Sequence, residues 1–298
     1  MRHRHERLRA PRRQWCAFAG LTTLRLMTNS TIAFIGGGNM AGALIGGLRR
    51  AGRPAASILV VEPLPAQRER LAQAHGVAPL AAADARLAAA GTVVWAVKPQ
   101  FFAAAAVPCA PFVGAALQVS VMAGIRSAAL VRASGSPRVV RAMPNTPALI
   151  GRGIAGLFAR QAVTADERAG AESLFAPTGT TLWVAQESDL DAVTALSGSG
   201  PAYVFYFVEA MMQAAAEMGL TPVQGRQLAL ATFDGATALA AASKESPETL
   251  RAQVTSKGGT THAAITALEQ SGVKAAFVRA LHAARERARE LGDEFGAA

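Results

Sequence analysis

The hydrophobic pattern changes period part-way along the chain. Up to about residue 184, short aliphatic and β-branched runs at 31–35, 57–61, 92–97, 117–121 and 138–143 alternate with stretches of helical spacing, such as Met40, Ala43, Leu44, Leu48 and Ala51. Runs that are apolar at every position, rather than at every second one, predict strands covered on both faces, as in a parallel sheet. An Ala-rich stretch at 81–90 predicts a helix ahead of the third run. A further strand at 154–158, a helix at 166–175 and a last strand at 180–184 complete this half. Alternating strands and helices predict an α/β Rossmann-like domain.

From Ser188 on, the strand signal stops. Ser188 and Asp191 have the spacing of a helix cap, and Pro201 is placed to open a helix that runs to about residue 218 and stops at Gly219. Thr221, Pro222 and Gln224 combine cap, first-turn proline and capping-box partner. Ser246 and Pro247 open another helix, Gly272 ends a fourth, and 274–291 is strongly amphipathic. Tyr203, Phe205, Tyr206, Phe207, Met211 and Met212 surround their helix, which therefore needs cover on all sides. An all-α domain that dimerises supplies it. The predicted division is an N-terminal extension over 1–28, disordered or an upstream mis-assigned start, a dinucleotide-binding domain over 29–164, and a helical dimerisation and substrate domain over 165–298.

Charge alters this picture little. The formal net charge of +10 is concentrated in residues 1–26, which hold seven arginines against Glu6, so a basic nucleic-acid surface is not expected on the folded part. No apolar run reaches the roughly 20 residues of a membrane span, and the expectation is a cytoplasmic protein with neither nucleic-acid nor membrane partners. The two cysteines, Cys16 and Cys109, form neither a disulfide framework nor a metal-ligand spacing, and no metal is expected.

The candidate chemistry is grouped at strand ends. Gly36, Gly38 and Ala41, between the first strand and the first helix, fit the dinucleotide fingerprint, with Asn39 and Met40 at the helix N-terminus. Glu62, at the end of the second strand, stands where such folds meet the adenosine ribose. Arg68 and Arg70 follow closely enough to serve a 2′-phosphate instead, so both NADH and NADPH remain open as the coenzyme. Ala96, Val97, Lys98 and Pro99 end the third strand and Asn145 follows the fifth, on the edge where open α/β sheets bind ligands. Far along the chain, Ser256, Gly258, Gly259, Thr260 and Thr261 open a helix, a geometry suited to a small carboxylate.

Taken together, Gly36-Gly37-Gly38-Asn39-Met40-Ala41, Ala96-Val97-Lys98-Pro99-Gln100, Met143-Pro144-Asn145-Thr146-Pro147, Leu196-Ser197-Gly198-Ser199-Gly200-Pro201 and Ser256-Lys257-Gly258-Gly259-Thr260-Thr261 resemble the pyrroline-5-carboxylate reductase family over roughly residues 29–292. The resemblance implies NAD(P)H-dependent reduction of 1-pyrroline-5-carboxylate to L-proline, the last step of proline biosynthesis, by a homodimer or an assembly of dimers. It implies that Ser256, Gly258, Gly259, Thr260 and Thr261 hold the substrate, with Thr261 facing the imine nitrogen. It also implies that Asn39, Met40, Ala96, Lys98 and Pro99 line the dinucleotide. Lys257 departs from the proline usual at that place. The alternative is another Rossmann imine or β-hydroxyacid oxidoreductase; the latter usually places a lysine on a helix of the second domain, and the helix after Pro201 has none.

Overall fold

The computed structural model describes residues 30–296. The N-terminal extension predicted over 1–28 lies outside them. Strands β1 (Thr31–Ile35), β2 (Ile58–Val61), β3 (Ala90–Trp95), β4 (Leu117–Ser120), β5 (Val139–Met143), β6 (Gly153–Ala159) and β7 (Gly179–Trp183) form one sheet in the order β2-β1-β3-β4-β5-β6-β7. The pairs β1–β2, β1–β3, β3–β4, β4–β5 and β6–β7 are parallel, and β5–β6 is antiparallel. Helices α1 (Asn39–Arg50), α2 (Pro65–His75), α3 (Phe102–Val113), α4 (Ser127–Ser134) and α5 (Ala165–Phe175) cover the two faces.

The uninterrupted apolar runs have the predicted cause. Along β1, Ile32 and Phe34 enter one core with Leu44, Val60, Val94 and Leu157, while Ala33 and Ile35 enter the opposite core with Leu87, Val93, Trp95 and Leu130. A strand with a core on each side has no position left for a polar residue. A polar side chain buried in such a strand needs partners: Gln118, for one, accepts from Trp95 Nε1 at 2.9 Å and donates to the carbonyls of Val113 and Ala116 at 2.8 and 2.9 Å. Cys109 packs in the second core, and burial pushes its thiol up to about 11, the behaviour of a small hydrophobe.

Three expectations are corrected. The helix over 81–90 is one 3-10 turn at Ala85–Ala89, because the Asp84 side chain accepts from the Arg86 amide at 2.9 Å and Ala90 already pairs with Thr31. The domain boundary expected after residue 164 moves beyond Trp183, since α5 packs on the sheet's core and β7 pairs with β6. Ser188 makes no side-chain cap, and Asp191 is turned instead toward Arg126.

The helical half runs through α6 (Asp189–Val193), a π-helical turn at Thr194–Gly198, α7 (Gly200–Glu217), α8 (Pro222–Ala242), α9 (Pro247–Gln253), α10 (Thr260–Gln270) and α11 (Val273–Gly296). The capping box at Thr221 and Gln224 forms as predicted. Phe277 stacks edge-on against Tyr203 and Phe207, with ring centroids 5.7 and 5.6 Å apart. The cover expected around α7 is incomplete within one chain: Phe205 and Tyr206 are 59% and 68% exposed.

A charged network joins the halves. Arg126, ahead of α4, makes two bonds to the Asp191 carboxylate at 3.1 and 3.0 Å. The Ser127 amide and hydroxyl each donate to Glu187 at 2.6 Å, and buried Arg141 of β5 donates to Glu187 at 2.9 Å. Burial pushes the Glu187 carboxyl up, but the bonds from Ser127 and the charge and bond of Arg141 outweigh it and hold the group below its ordinary range. A carboxyl lowered in the folded state stabilises fully above its unfolded value, about 4.3, and loses that contribution as pH falls through the folded value. Replacing Glu187 with Gln is therefore expected to cost about 3 kcal/mol near neutral pH by leaving Arg141 buried without its counter-charge. The same change should flatten the acid limb of stability, and urea unfolding of both proteins at pH 7 and pH 4 measures both effects.

Candidate active site

The site is built around the turn between β1 and α1. Gly36 closes it with φ of 94°, and a Cβ there would lie 2.8 Å from the Ala96 carbonyl oxygen, so neither the conformation nor the space admits a side chain. The strands that make this approach are laced together: the Gly36 amide donates to the Val61 carbonyl at 2.9 Å, and the Ala96 amide to the Ile35 carbonyl at 2.8 Å. Gly38 differs. Its backbone, φ −66° and ψ −170°, is open to any residue, and a Cβ would meet nothing within 4 Å. What the missing side chain leaves is an open cradle at the N-terminus of a 12-residue helix that has no side-chain cap and no acidic residue in its first turn. Amide N–H groups and the positive end of the helix dipole face that space, which fits a pyrophosphate.

Every predicted coenzyme residue reaches this edge. Asn39 and Met40 begin α1, and Ala96, Val97, Lys98 and Pro99 follow β3, with Lys98 exposed and the other three half-buried. Asn145 follows β5, but its side chain is committed: its amide donates to Ser197 Oγ at 3.3 Å, and its oxygen accepts from the Ile154 amide at 3.0 Å. It thereby ties the sheet edge to the π-helical turn of the helical half.

Glu62 departs from expectation. It is 7% exposed, and its two carboxylate oxygens accept from the backbone amides of Gly37 and Leu64, each at 2.9 Å. Gln67 donates to the Gly37 carbonyl from the other side. The middle glycine of the turn is thus held by its N–H and its C=O alike.

The predicted substrate loop is a turn at the head of α10. The Gly259 amide donates to the Ser256 carbonyl at 3.0 Å, Gly258 has φ of 77°, and the Ser256 hydroxyl would lie 2.7 Å from a Cβ on Gly259. Gly259 caps α10 without a side-chain bond. Ser256, Lys257, Gly258 and Thr260 are exposed, and Thr261 is half-buried. Among the described residues, no hydrogen bond or ion pair joins this loop to the Gly36–Gly38 turn. Sequence reasoning missed Arg126, Arg141 and Glu187, and it read Asp191 as a cap; together these four fix where α6 leaves the sheet. Among the described residues no cluster of three or more His, Cys, Asp or Glu has the geometry to hold a metal ion.

Comparison with known proteins assigns this arrangement. A family model described as pyrroline-5-carboxylate reductase dimerisation matches residues 187–291, and one described as NADP oxidoreductase, coenzyme F420-dependent, matches residues 31–124. Pyrroline-5-carboxylate reductase of Pseudomonas aeruginosa is 43% identical over 272 residues, 91% of this chain and 100% of that protein. The chain belongs to the pyrroline-5-carboxylate reductase family. A solved pyrroline-5-carboxylate reductase from Coxiella burnetii superposes with a TM-score of 0.81 at 36% identity, covering 88% of this chain and 98% of that one. A solved Plasmodium falciparum pyrroline carboxylate reductase, with NADP bound, superposes with a TM-score of 0.80 at 26% identity over 89% of this chain and 99% of that one. As a member of this family the chain is a nicotinamide-dependent oxidoreductase, and the dimerisation match begins beyond Trp183, in agreement with the moved boundary.

Gly38 offers a clean test of the cradle. Gly38→Val is expected to fold normally, because its backbone conformation is permitted and a Cβ there meets no protein atom within 4 Å, yet to weaken NADP+ binding at least tenfold by filling the pyrophosphate space. Gly36→Ala is the contrast and should lose folding stability itself. Circular dichroism and calorimetric titration of NADP+ separate the two outcomes.

Proposed function

We propose that this chain reduces 1-pyrroline-5-carboxylate to L-proline with NADPH as donor, in the cytoplasm, as a homodimer or an assembly of dimers with neither nucleic acid nor membrane as partner. The observation that carries this reading is the open cradle at Gly38 in a chain whose helical half also carries the Ser256–Thr261 turn. No helix among the described residues is long and apolar enough to cross a membrane.

The coenzyme, when bound, supplies the hydride that adds to the imine carbon. The chain's own residues bind and orient. Gly36, Gly38, Asn39 and Met40 hold the pyrophosphate end, and Ala96, Val97, Lys98, Pro99 and Asn145 line the approach to the nicotinamide. At the substrate turn, the Gly259 N–H is already spent on Ser256, so the amides after it, at Thr260 and Thr261, are the donors left for a carboxylate. Gripping the carboxylate fixes the ring, and the Thr261 hydroxyl then accepts from the N–H of the imine, protonated by solvent beforehand; hydride addition to the carbon turns that iminium into the neutral amine. A cyclic imine needs orientation and one hydrogen-bond partner more than an acid–base pair.

Thr261→Ala removes that partner while leaving the amides. A hydrogen bond to a charged group, here the iminium N–H, contributes about 1.5–3 kcal/mol, so kcat is expected to fall roughly ten- to a hundredfold. NADP+ affinity should stay within about twofold, and Thr260→Ala should cost less. The measurement is oxidation of NADPH by 1-pyrroline-5-carboxylate, followed spectrophotometrically. Full activity of Thr261→Ala would reduce the turn to an ordinary helix start.

Because the substrate turn is exposed and unconnected to the cradle by any bond within one chain, the reading places the complete cleft in the dimer. Mixed dimers of Gly38→Val and Thr261→Ala chains should then recover about half the turnover of wild-type dimers, since one cleft per dimer combines two intact parts. Activity no higher than that of the two parent variants would place both parts of each cleft in the same chain.

A further inference from the structure

The corner between β2 and α2 carries a charge arrangement that hydride transfer by itself does not require. Glu62 occupies the position from which an acidic side chain bonds a ribose 2′-hydroxyl and repels a 2′-phosphate. Here that carboxylate is turned inward, and each oxygen is occupied by a backbone amide, Gly37 on one side and Leu64 on the other, at 2.9 Å. Two amide dipoles aimed at a carboxylate offset much of its charge as felt from outside. On the solvent side of the same corner stand two arginines. Arg68 reaches back through Nη1 to the carbonyls of Glu62 and Pro63, at 2.9 and 2.6 Å, which parks its guanidinium over the turn. Arg70, one helical turn beyond Gln67 on α2, donates from Nη2 to Asn39 Oδ1 at 3.3 Å. Gln67 and Arg70 therefore lie along the glycine turn, and the Arg70 guanidinium lies at its mouth, next to the first residue of α1.

Resting on the nicotinamide-coenzyme reading above, we propose that Arg70, with Arg68 beside it, selects a coenzyme bearing a phosphomonoester on its adenosine ribose, and that Glu62 positions the glycine turn and does not read the ribose. The bond from Arg70 to Asn39 is long, exposed and made to a neutral oxygen. A phosphate dianion accepts stronger, charge-assisted bonds from the same fork of N–H groups, so the guanidinium is held near the site yet free to exchange partners. Glu62 contributes by immobilising Gly37, which presents the open cradle at Gly38 to either coenzyme alike.

Calorimetric titration of the full chain with NADP+, NAD+ and adenosine 2′,5′-bisphosphate tests this apart from catalysis. The wild type should prefer NADP+ to NAD+. Arg70→Ala should weaken NADP+ and adenosine 2′,5′-bisphosphate about tenfold, the scale of one charge-assisted bond, and leave NAD+ within about twofold. Arg68→Ala should shift the same two ligands by less. Glu62→Gln, which replaces an acceptor oxygen with a donor, should weaken NADP+ and NAD+ by the same factor. An Arg70→Ala chain that loses both coenzymes equally, or a Glu62→Gln chain that loses NAD+ alone, would overturn the assignment. If Glu62→Gln does not fold, the Arg70→Ala result decides. Turnover of 1-pyrroline-5-carboxylate by the wild type, measured alongside, keeps the two readings apart. Selective NADP+ binding without turnover would refute the reaction and leave the selector standing, whereas turnover with no preference between the coenzymes would do the reverse.

Discussion

The approach of the Gly36 backbone to the Ala96 carbonyl sets the geometry on which the rest of the cleft depends. With 2.8 Å between that oxygen and any Cβ on Gly36, β1 and β3 come close enough at their carboxyl ends for the chain to turn sharply into α1. That turn aims the helix N-terminus along the sheet edge, and its unpaired amides become the polar floor of the cradle. A bulkier residue would push the edge apart, and the Glu62 bond to Gly37 would then have nothing to hold. The cradle is therefore a consequence of backbone packing inside the sheet, with side chains added around it.

A second constraint governs how the helical half leaves the sheet. Buried Arg141 needs a counter-charge, and it finds one in Glu187, beyond the last strand. Glu187 in turn gathers the Ser127 amide and hydroxyl, and neighbouring Arg126 is locked on Asp191. The guanidinium of Arg126 also lies against Gly292 of α11, where a Cβ would collide with it. One cluster thus fixes α6, the head of α4 and the end of α11 at once. Since α6 continues through the π-helical turn that carries Ser197 to Asn145, the charges beneath the domain junction also set the rim of the coenzyme cleft.

These two constraints differ in how far they were legible. The glycine turn, the doubly covered strands, the helix openings at Pro201 and Thr221 and the stop near Gly219 each leave a local trace, because a left-handed φ, an N-cap or an all-apolar strand restricts residue type within a few positions. The charged network leaves none: Arg126 and Asp191 are separated by 65 positions, and each alone has the look of an ordinary helix-end residue. Glu62 is instructive in another way. Its position was visible, but its role depends on where two amides point after the chain turns at Pro63, and the identity of one residue does not carry that direction. The Ala-rich segment at 81–90 failed through competition, since Asp84 and the start of β3 offered its backbone better partners than a helix would.

The helical half poses a problem that the chain alone does not solve. Phe205, Tyr206, Leu228 and Leu239 are all more than half exposed in one copy, although α7 is apolar on nearly every side. At about 25 cal/mol per Å2 of apolar surface, leaving several such side chains in water forgoes several kcal/mol, a large share of the net stability of a domain. The dimerisation match spans these helices, and such a surface is what a second copy would cover in a symmetric pair. The turn proposed to hold the substrate, at the head of α10, lies in the half matched as a dimerisation domain, whereas the cradle at Gly38 is built within the sheet. In the reaction proposed above, coenzyme recognition would then belong to the single chain and catalysis to the pair.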